Sequence, residues 1–396
     1  MFPTNRAAVF PDRAIPFTPC AREASMLRPI PIEFCPIRPE RRRAPLTDTS
    51  AIGFGRHFSD HFFRADFSPD RGWSHARIEP LRTLQIDPAA ICLHYGQAIF
   101  EGLKAYRGKN GESFLFRLDK SVERFTNSAR RLNMEPVPAD LFTRAIRALV
   151  LSERDWIPPC PGSALYIRPT LIATDPYLGV RPGSEYLFFV LAGPVGPYYP
   201  QGFNPVSILV ETEDVRAVRG GLGEAKTAAN YAHGLRAQRR AAQQGFAQVL
   251  WLDAIERRFV EEVGTMNIFF VIDGELVTPP LNGTILPGIT RDSVLALTRA
   301  WGLTVHERPI AIDEVLDAAH SGRLTEAFGT GTAAVISPVG KLSHRGVEHV
   351  INDGQSGPLS RRLFDHISRL QRGEVADELG WVERVDTRDF EAEIAG

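Results

Sequence analysis

Thirteen consecutive residues, 193–205 (GPVGPYYPQGFNP), hold three glycines and four prolines. Proline removes an amide donor and fixes φ, and glycine loses the most entropy on ordering, so the stretch reads as a break in regular structure. It splits a chain of 396 residues into two parts, each long enough to bury a core of its own. On its N-terminal side, Leu118, Val122, Phe125, Ala129 and Leu132 share one helical face, and Leu141, Ala145, Ala148 and Leu149 mark a second helix. Residues 164–172 and 185–192 are rich in strand formers. On its C-terminal side, strands are expected at 206–210, 247–252 and 267–272. Helices are expected at 228–244, at 290–301 with Thr290 as N-cap, and at 359–370. The pattern predicts an α+β chain of two domains. A smaller N-terminal unit spans 48–192, an interdomain linker 193–205, and a larger C-terminal unit 206–396, with a site expected at the junction. Residues 1–47, rich in Pro and Arg and without periodicity, are expected to form a flexible, solvated arm.

Several function classes fall away on composition. The formal net charge is −1, which gives no general field for nucleic acid or an anionic membrane. No apolar run approaches the ~18 residues of a membrane span. Cys20, Cys35, Cys92 and Cys160 are scattered and form no CxxC, so no metal site is expected. The expected location is cytoplasmic, although the Arg-rich, acid-poor segment 1–47 leaves organellar targeting open.

Of the 46 lysine and arginine residues, only Lys104, Lys109, Lys120, Lys226 and Lys341 are lysine. A guanidinium stays protonated, so a nucleophilic amine must come from these five. Lys226 is the only one between residues 121 and 340, and the other four read as surface lysines. Residues 220–227 (GGLGEAKT) nearly spell a phosphate-binding P-loop, but Ala225 stands where that loop needs glycine for its backbone to wrap a phosphate. A different partner set lies downstream: Glu262-Val-Gly-Thr-Met-Asn267, Leu286-Pro-Gly-Ile-Thr290 at a helix start, and Gly329-Thr-Gly-Thr-Ala333. Pyridoxal phosphate asks for this combination. It needs a lysine for the Schiff base, a carboxylate for the pyridine nitrogen, a donor at the ring oxygen, and helix N-terminal amides with an arginine for its phosphate. Lys226, Glu262, Tyr231, the 288–290 helix start and Thr332 supply those types. By spacing alone Glu261 rivals Glu262, and strand alternation points it the other way.

These segments, with Phe54-Gly-Arg-His-Phe58, Leu93-His-Tyr95, Phe100-Glu-Gly102, Leu165-Tyr-Ile-Arg168-Pro and Gln248-Val-Leu-Trp-Leu252, follow one another in a specific order from about residue 52 to about 375. In that order the chain resembles the class IV aminotransferases, most closely the branched-chain amino acid aminotransferases. The resemblance implies fold type IV, of the D-amino-acid aminotransferase kind, and pyridoxal 5'-phosphate as cofactor. It implies Lys226 as the catalytic lysine, with Arg124, Tyr231, Glu262, Thr265, Ile289, Thr290 and Thr332 around the cofactor and Arg216 nearby. Pattern alone would leave Arg124 as an ordinary solvated arginine off the apolar helix face. For the substrate the resemblance implies Phe54, Tyr95, Tyr166 and Arg168, with the backbone of Thr332 and Ala333. The implied reaction passes the amino group of leucine, isoleucine or valine to 2-oxoglutarate. The implied partners are small amino acids and 2-oxo acids, in a homodimer that shares pocket residues. Animal members carry a redox CxxC just after the Gly-Thr-Ala stretch. Here Ala334 and Ser337 stand there, so no thiol switch is expected.

Overall fold

The computed structural model describes residues 29–46, 52–197 and 203–395. The N-terminal part contains β1 (Glu33–Phe34), β2 (His61–Ser68), β3 (Gly72–Pro80), α1 (Ile91–Tyr95), β4 (Ala98–Phe100), β5 (Leu103–Arg107), β6 (Ser113–Phe116), α2 (Leu118–Arg131), α3 (Ala139–Ser152), β7 (Ala164–Ala173) and β8 (Tyr186–Val195). The C-terminal part begins with β9 (Val206–Val210), α4 (Ala228–Gln243), β10 (Gln248–Leu252), β11 (Val260–Val263), β12 (Met266–Ile272), β13 (Glu275–Thr278), α5 (Ile289–Ala300), β14 (Val305–Glu307) and α6 (Ile312–His320). It continues with β15 (Leu324–Gly331), β16 (Val335–His344), β17 (Val347–Val350), α7 (Pro358–Leu370), β18 (Val382–Val385) and α8 (Phe390–Ala395). The helices and strands expected from periodicity are present, with ends shifted by one to three residues.

The first sheet has the order β1-β3-β2-β8-β7-β5-β6-β18, with β4 added on β7. Its core is aromatic: Phe125, Phe142 and Phe188 lie with ring centroids 5.1–5.7 Å apart, and the apolar faces of α2 and α3 cover it. In the second sheet β11 pairs with both β10 and β12, so β11-β10-β9-β16-β15-β12 closes on itself. Closure leaves that ring without an edge of its own, with β13–β14 and β17 branching from it. β12 is buried along its whole length because both faces are covered. Ile268, Phe270 and Ile272 join Leu250 and Val315 of α6, while Phe269 and Val271 pack against α5 and α7.

Four boundaries differ from the sequence expectation, each because a short segment is held by tertiary partners. The segment 29–46 of the expected arm is docked on the first sheet. β1 pairs with β3, Ile32 is buried, and Arg43 Nε lies 2.9 Å from Asp60. The expected linker starts inside β8, which continues to Val195 because β7 still pairs with it there. The last residues of the expected C-terminal unit return to the first sheet, where β18 pairs with β6 and α8 packs on α3. Arg144 ties both ends together, donating to Ile30 O (2.9 Å) and Glu393 O (2.7 Å). Finally, α5 is capped by Gly288, and Thr290 sits inside the first turn. Residues 1–28, 47–51 and 198–202, which carry the rest of the expected arm and linker, lie outside the described residues.

α7 has no side-chain cap of its own. Its cap comes from β15: buried Glu326 accepts the amides of Leu359 and Ser360, each at 2.8 Å. A Cβ at Gly357 would run into that carboxylate. Replacing Glu326 by Ala strands both amides, and the expected loss is about 2–4 kcal/mol. Chemical denaturation of Glu326→Ala beside the parent protein measures it, and a loss under about 1 kcal/mol would show that the cap is dispensable.

Candidate functional site

The site begins where the two sheets meet. Thr227 is the extended N-cap of α4, so Lys226 sits just before the helix. Its backbone is stitched to the first unit. Lys226 O accepts Phe100 N (3.0 Å), Lys226 N donates to Ser128 Oγ on α2 (2.9 Å), and Thr227 Oγ1 donates to Ala98 O (2.8 Å). The half-buried side chain ends 2.7 Å from Tyr231 Oη and 5.2 Å from the ring centroids of both Phe100 and Tyr231.

Glu262 lies on β11, beside the turn at Gly264 and Thr265 that leads to β12. It is almost fully buried, and each oxygen has a partner. Oε1 accepts Leu286 N (2.7 Å) and a long contact from Asn267 Nδ2 (3.4 Å), and Oε2 faces Arg216 Nε (2.7 Å). Burial pushes the Glu262 carboxyl above its ordinary range, while Arg216 and then the Leu286 amide pull it back. Arg216 is itself held by Thr284 O at 2.6 Å. Arg216, Tyr231, Glu262, Thr265 and Leu286 line one cavity of about 210 Å³, with Thr265 exposed at its rim. The rival Glu261 is buried as well, beside a register irregularity between Leu250 and Leu252, and it accepts Thr284 Oγ1 at 2.5 Å. The two carboxylates therefore address different partners.

Arg124 is not solvated. It is buried on α2, with Nε and Nη2 donating to the two oxygens of Glu101 (2.6 and 2.8 Å) and Nη1 to Pro287 O (3.2 Å). That last bond sets it at the start of α5. There the amides of Ile289 and Thr290 have no intrahelical acceptor, and no side chain caps them. A cation beside an uncapped helix N-terminus is an anion cradle. A Cβ at Gly288 would strike Asn267 Oδ1, so only glycine lets the helix start this close to β12.

On the opposite side, Arg168 donates to Tyr166 Oη (2.9 Å), and its guanidinium lies 4.6 Å over the Phe100 ring. Its Nε is buried without a partner. Phe54 meets Tyr166 edge-on at 4.8 Å and is about half exposed. Gly102 leaves room for the Tyr166 hydroxyl, which a Cβ would strike. Thr332 and Ala333 form the turn between β15 and β16, and Ala333 O accepts Lys104 Nζ at 2.8 Å. Tyr95 stands elsewhere: it is exposed at the end of α1, and its hydroxyl donates to Leu178 O. Sequence reasoning assigned no role to Phe100, Glu101 or Ser128. The Phe-Glu-Gly motif was a signal for the first two, whereas nothing local marked Ser128.

Residues 98–342 match the family model described as amino-transferase class IV. Branched-chain-amino-acid aminotransferase 2 of Bacillus subtilis is 51% identical, over 87% of this chain and 94% of that protein. Branched-chain-amino-acid aminotransferase of Mycolicibacterium smegmatis is 47% identical, over 84% and 92%. Among solved structures, a T.th. branched-chain amino acid aminotransferase complexed with N-(5'-phosphopyridoxyl)-L-glutamate superposes with a TM-score of 0.68 at 27% identity, covering 82% of this chain and 98% of that one. Branched-chain amino acid aminotransferase from Escherichia coli superposes with a TM-score of 0.67 at 25% identity, covering 83% and 99%. The chain belongs to the class IV aminotransferase family.

Proposed function

We propose that this protein is a branched-chain amino acid aminotransferase, moving the amino group of L-leucine, L-isoleucine or L-valine to 2-oxoglutarate. The observation that carries the reading is the Lys226 Nζ–Tyr231 Oη pair, with Tyr231 lining a cavity together with the Arg216-braced carboxylate of Glu262. The residues fit pyridoxal 5'-phosphate. An uncapped helix start beside a buried arginine suits its phosphate, and a buried carboxylate suits its ring nitrogen. When bound, the cofactor supplies an electron sink for the substrate α-carbon.

The chain's own groups then divide the work. Lys226 Nζ would be the covalent anchor for the cofactor and, as a free amine, the base placed to take the substrate α-proton. Tyr231 Oη orients that amine. Glu262 would face the ring nitrogen, and Arg216 favours its charged form against the burial that pushes the carboxyl up. Arg124, the amides of Ile289 and Thr290, and Thr332 would hold the phosphate, with Thr265 at the rim. Phe54 and Tyr166 form an apolar wall for branched side chains, Arg168 takes the second carboxylate of glutamate, and the Thr332–Ala333 backbone takes the α-carboxylate.

Tyr95 enters this scheme through a homodimer. Exposed Leu93, Tyr95, Tyr177, Leu178 and Val180 form an apolar group near α1 that a second copy would cover, bringing Tyr95 to the neighbouring site. The reaction takes place in the cytoplasm in this reading.

Four outcomes are expected. With 2-oxoglutarate as acceptor, a panel of amino donors should release glutamate fastest from leucine, isoleucine and valine, and Lys226→Ala should lose both turnover and the visible absorbance of the bound cofactor. Near-normal turnover in that variant would sink the assignment. Glu262→Gln keeps a side chain of the same shape without the charge, and kcat should fall by about 10²-fold or more while cofactor remains bound. Leu178→Asp should shift the light-scattering mass from dimer to monomer, and an unchanged mass would remove this face from the interface.

A further inference from the structure

The geometry points to Lys104 as a positioning residue: reaching across the junction of the two units, its amine fixes the Thr332–Ala333 turn that receives the substrate carboxylate. The inference rests on the aminotransferase reading above and concerns a residue that the sequence left among the surface lysines.

Lys104 is on β5, directly opposite Tyr166 of β7 in the antiparallel register. Opposed residues in such a pair project from the same sheet face, so Lys104 and Tyr166 rise together toward the second unit. The lysine is buried, with 6% of its surface exposed. Its amine makes one hydrogen bond among the described residues, to Ala333 O at 2.8 Å. Among the described residues no carboxylate pairs with it, and burial pushes its pKa down to about 8. A buried cation without a carboxylate partner is costly. What it does is hold a backbone carbonyl of the other unit.

That carbonyl belongs to a turn in need of an external hold. Gly331 pairs with Val335 across the β15–β16 hairpin, and Thr332, Ala333 and Ala334 form its tip. Val335 takes φ +62°, a left-handed conformation that a β-branched residue adopts only under constraint. Lys104 supplies a contact from outside the hairpin that fixes the Ala333 peptide, and with it the direction of the neighbouring amides. The amine also lines a cavity of about 200 Å³ with Tyr106, Ser163 and Ser368, so the space behind the turn is roomy and the bond is not enforced by packing alone.

The test is binding of 4-methylpentanoate, a leucine analogue without the amine, to the cofactor-loaded parent and to Lys104→Met and Lys104→Gln, by isothermal titration. Met and Gln both end one bond short of the lysine amine, Met without a donor and Gln with one that stops short of the carbonyl. Both variants should bind the analogue about five- to tenfold more weakly, with cofactor affinity and melting temperature near parental values. KM for leucine and 2-oxoglutarate should rise together, with a smaller change in kcat. Analogue affinity within twofold of the parent in either soluble variant overturns the proposal. So does insolubility of both, which would make the lysine a folding requirement. If the parent itself fails to bind the analogue, the failure belongs to the branched-chain reading and not to Lys104.

Discussion

Arg124 gives two hydrogen bonds to the buried carboxylate of Glu101 and a third, from Nη1, to Pro287 O at the start of α5. It is one member of a stripe. Arg117 reaches Ser293 and Asp292 on α5, Ser128 takes the amide of Lys226, and Arg131 donates to the carbonyls of Gly220 and Gly221. Positions 117, 124, 128 and 131 recur at helical spacing, so this stripe lies about 110° around α2 from its apolar face. One face of the helix is buried in the first core, and the other carries the loops that hold Lys226 and the α5 start. Each apolar core would form without that seam, but the site would not assemble, because its parts come from both sides.

The seam explains how a chain with 41 arginines uses them. A guanidinium presents five donors in a rigid plane and stays charged when buried, so one side chain can satisfy a carboxylate and still reach a carbonyl of another unit. The pairing also limits Arg124 as an anion ligand. With Glu101 taking two donors, Arg124 brings orientation to the α5 cradle more than net positive charge, and the free amides of Ile289 and Thr290 carry much of the attraction for an anion.

What the sequence made legible follows from how local each signal is. Regular helices and strands were readable because periodicity is written into a few consecutive turns. Lys226 stood out because the amine requirement left few candidates. The docking of 29–46 and of β18 and α8 was not readable: two- to six-residue elements have no period, and their order comes from partners far away in sequence. Arg124 and Lys104 were hidden for a related reason. A charged residue off the apolar face looks solvated until a second core covers it. The cap of α5 was misplaced because Thr290 is the better capping side chain by type, whereas close approach to Asn267 demands glycine at 288.

The same logic bears on the paired carboxylates of β11. Glu261 and Glu262 are both buried, and burial raises both. Left alone, the pair would favour protonation of one member. Arg216 lies within 2.7 Å of Glu262 and lowers both, while Thr284 Oγ1 serves Glu261 and Thr284 O braces Arg216. The arrangement gives the direct ion pair to Glu262, while Glu261 has a hydroxyl in contact and feels its arginines from farther off. If one of the two is to stay ionised in a site emptied of water, it is the one that lines the cavity beside Tyr231. A ring nitrogen arriving there would meet a carboxylate already fixed in direction by the Leu286 amide and Arg216, so little reorganisation would remain for the reaction itself.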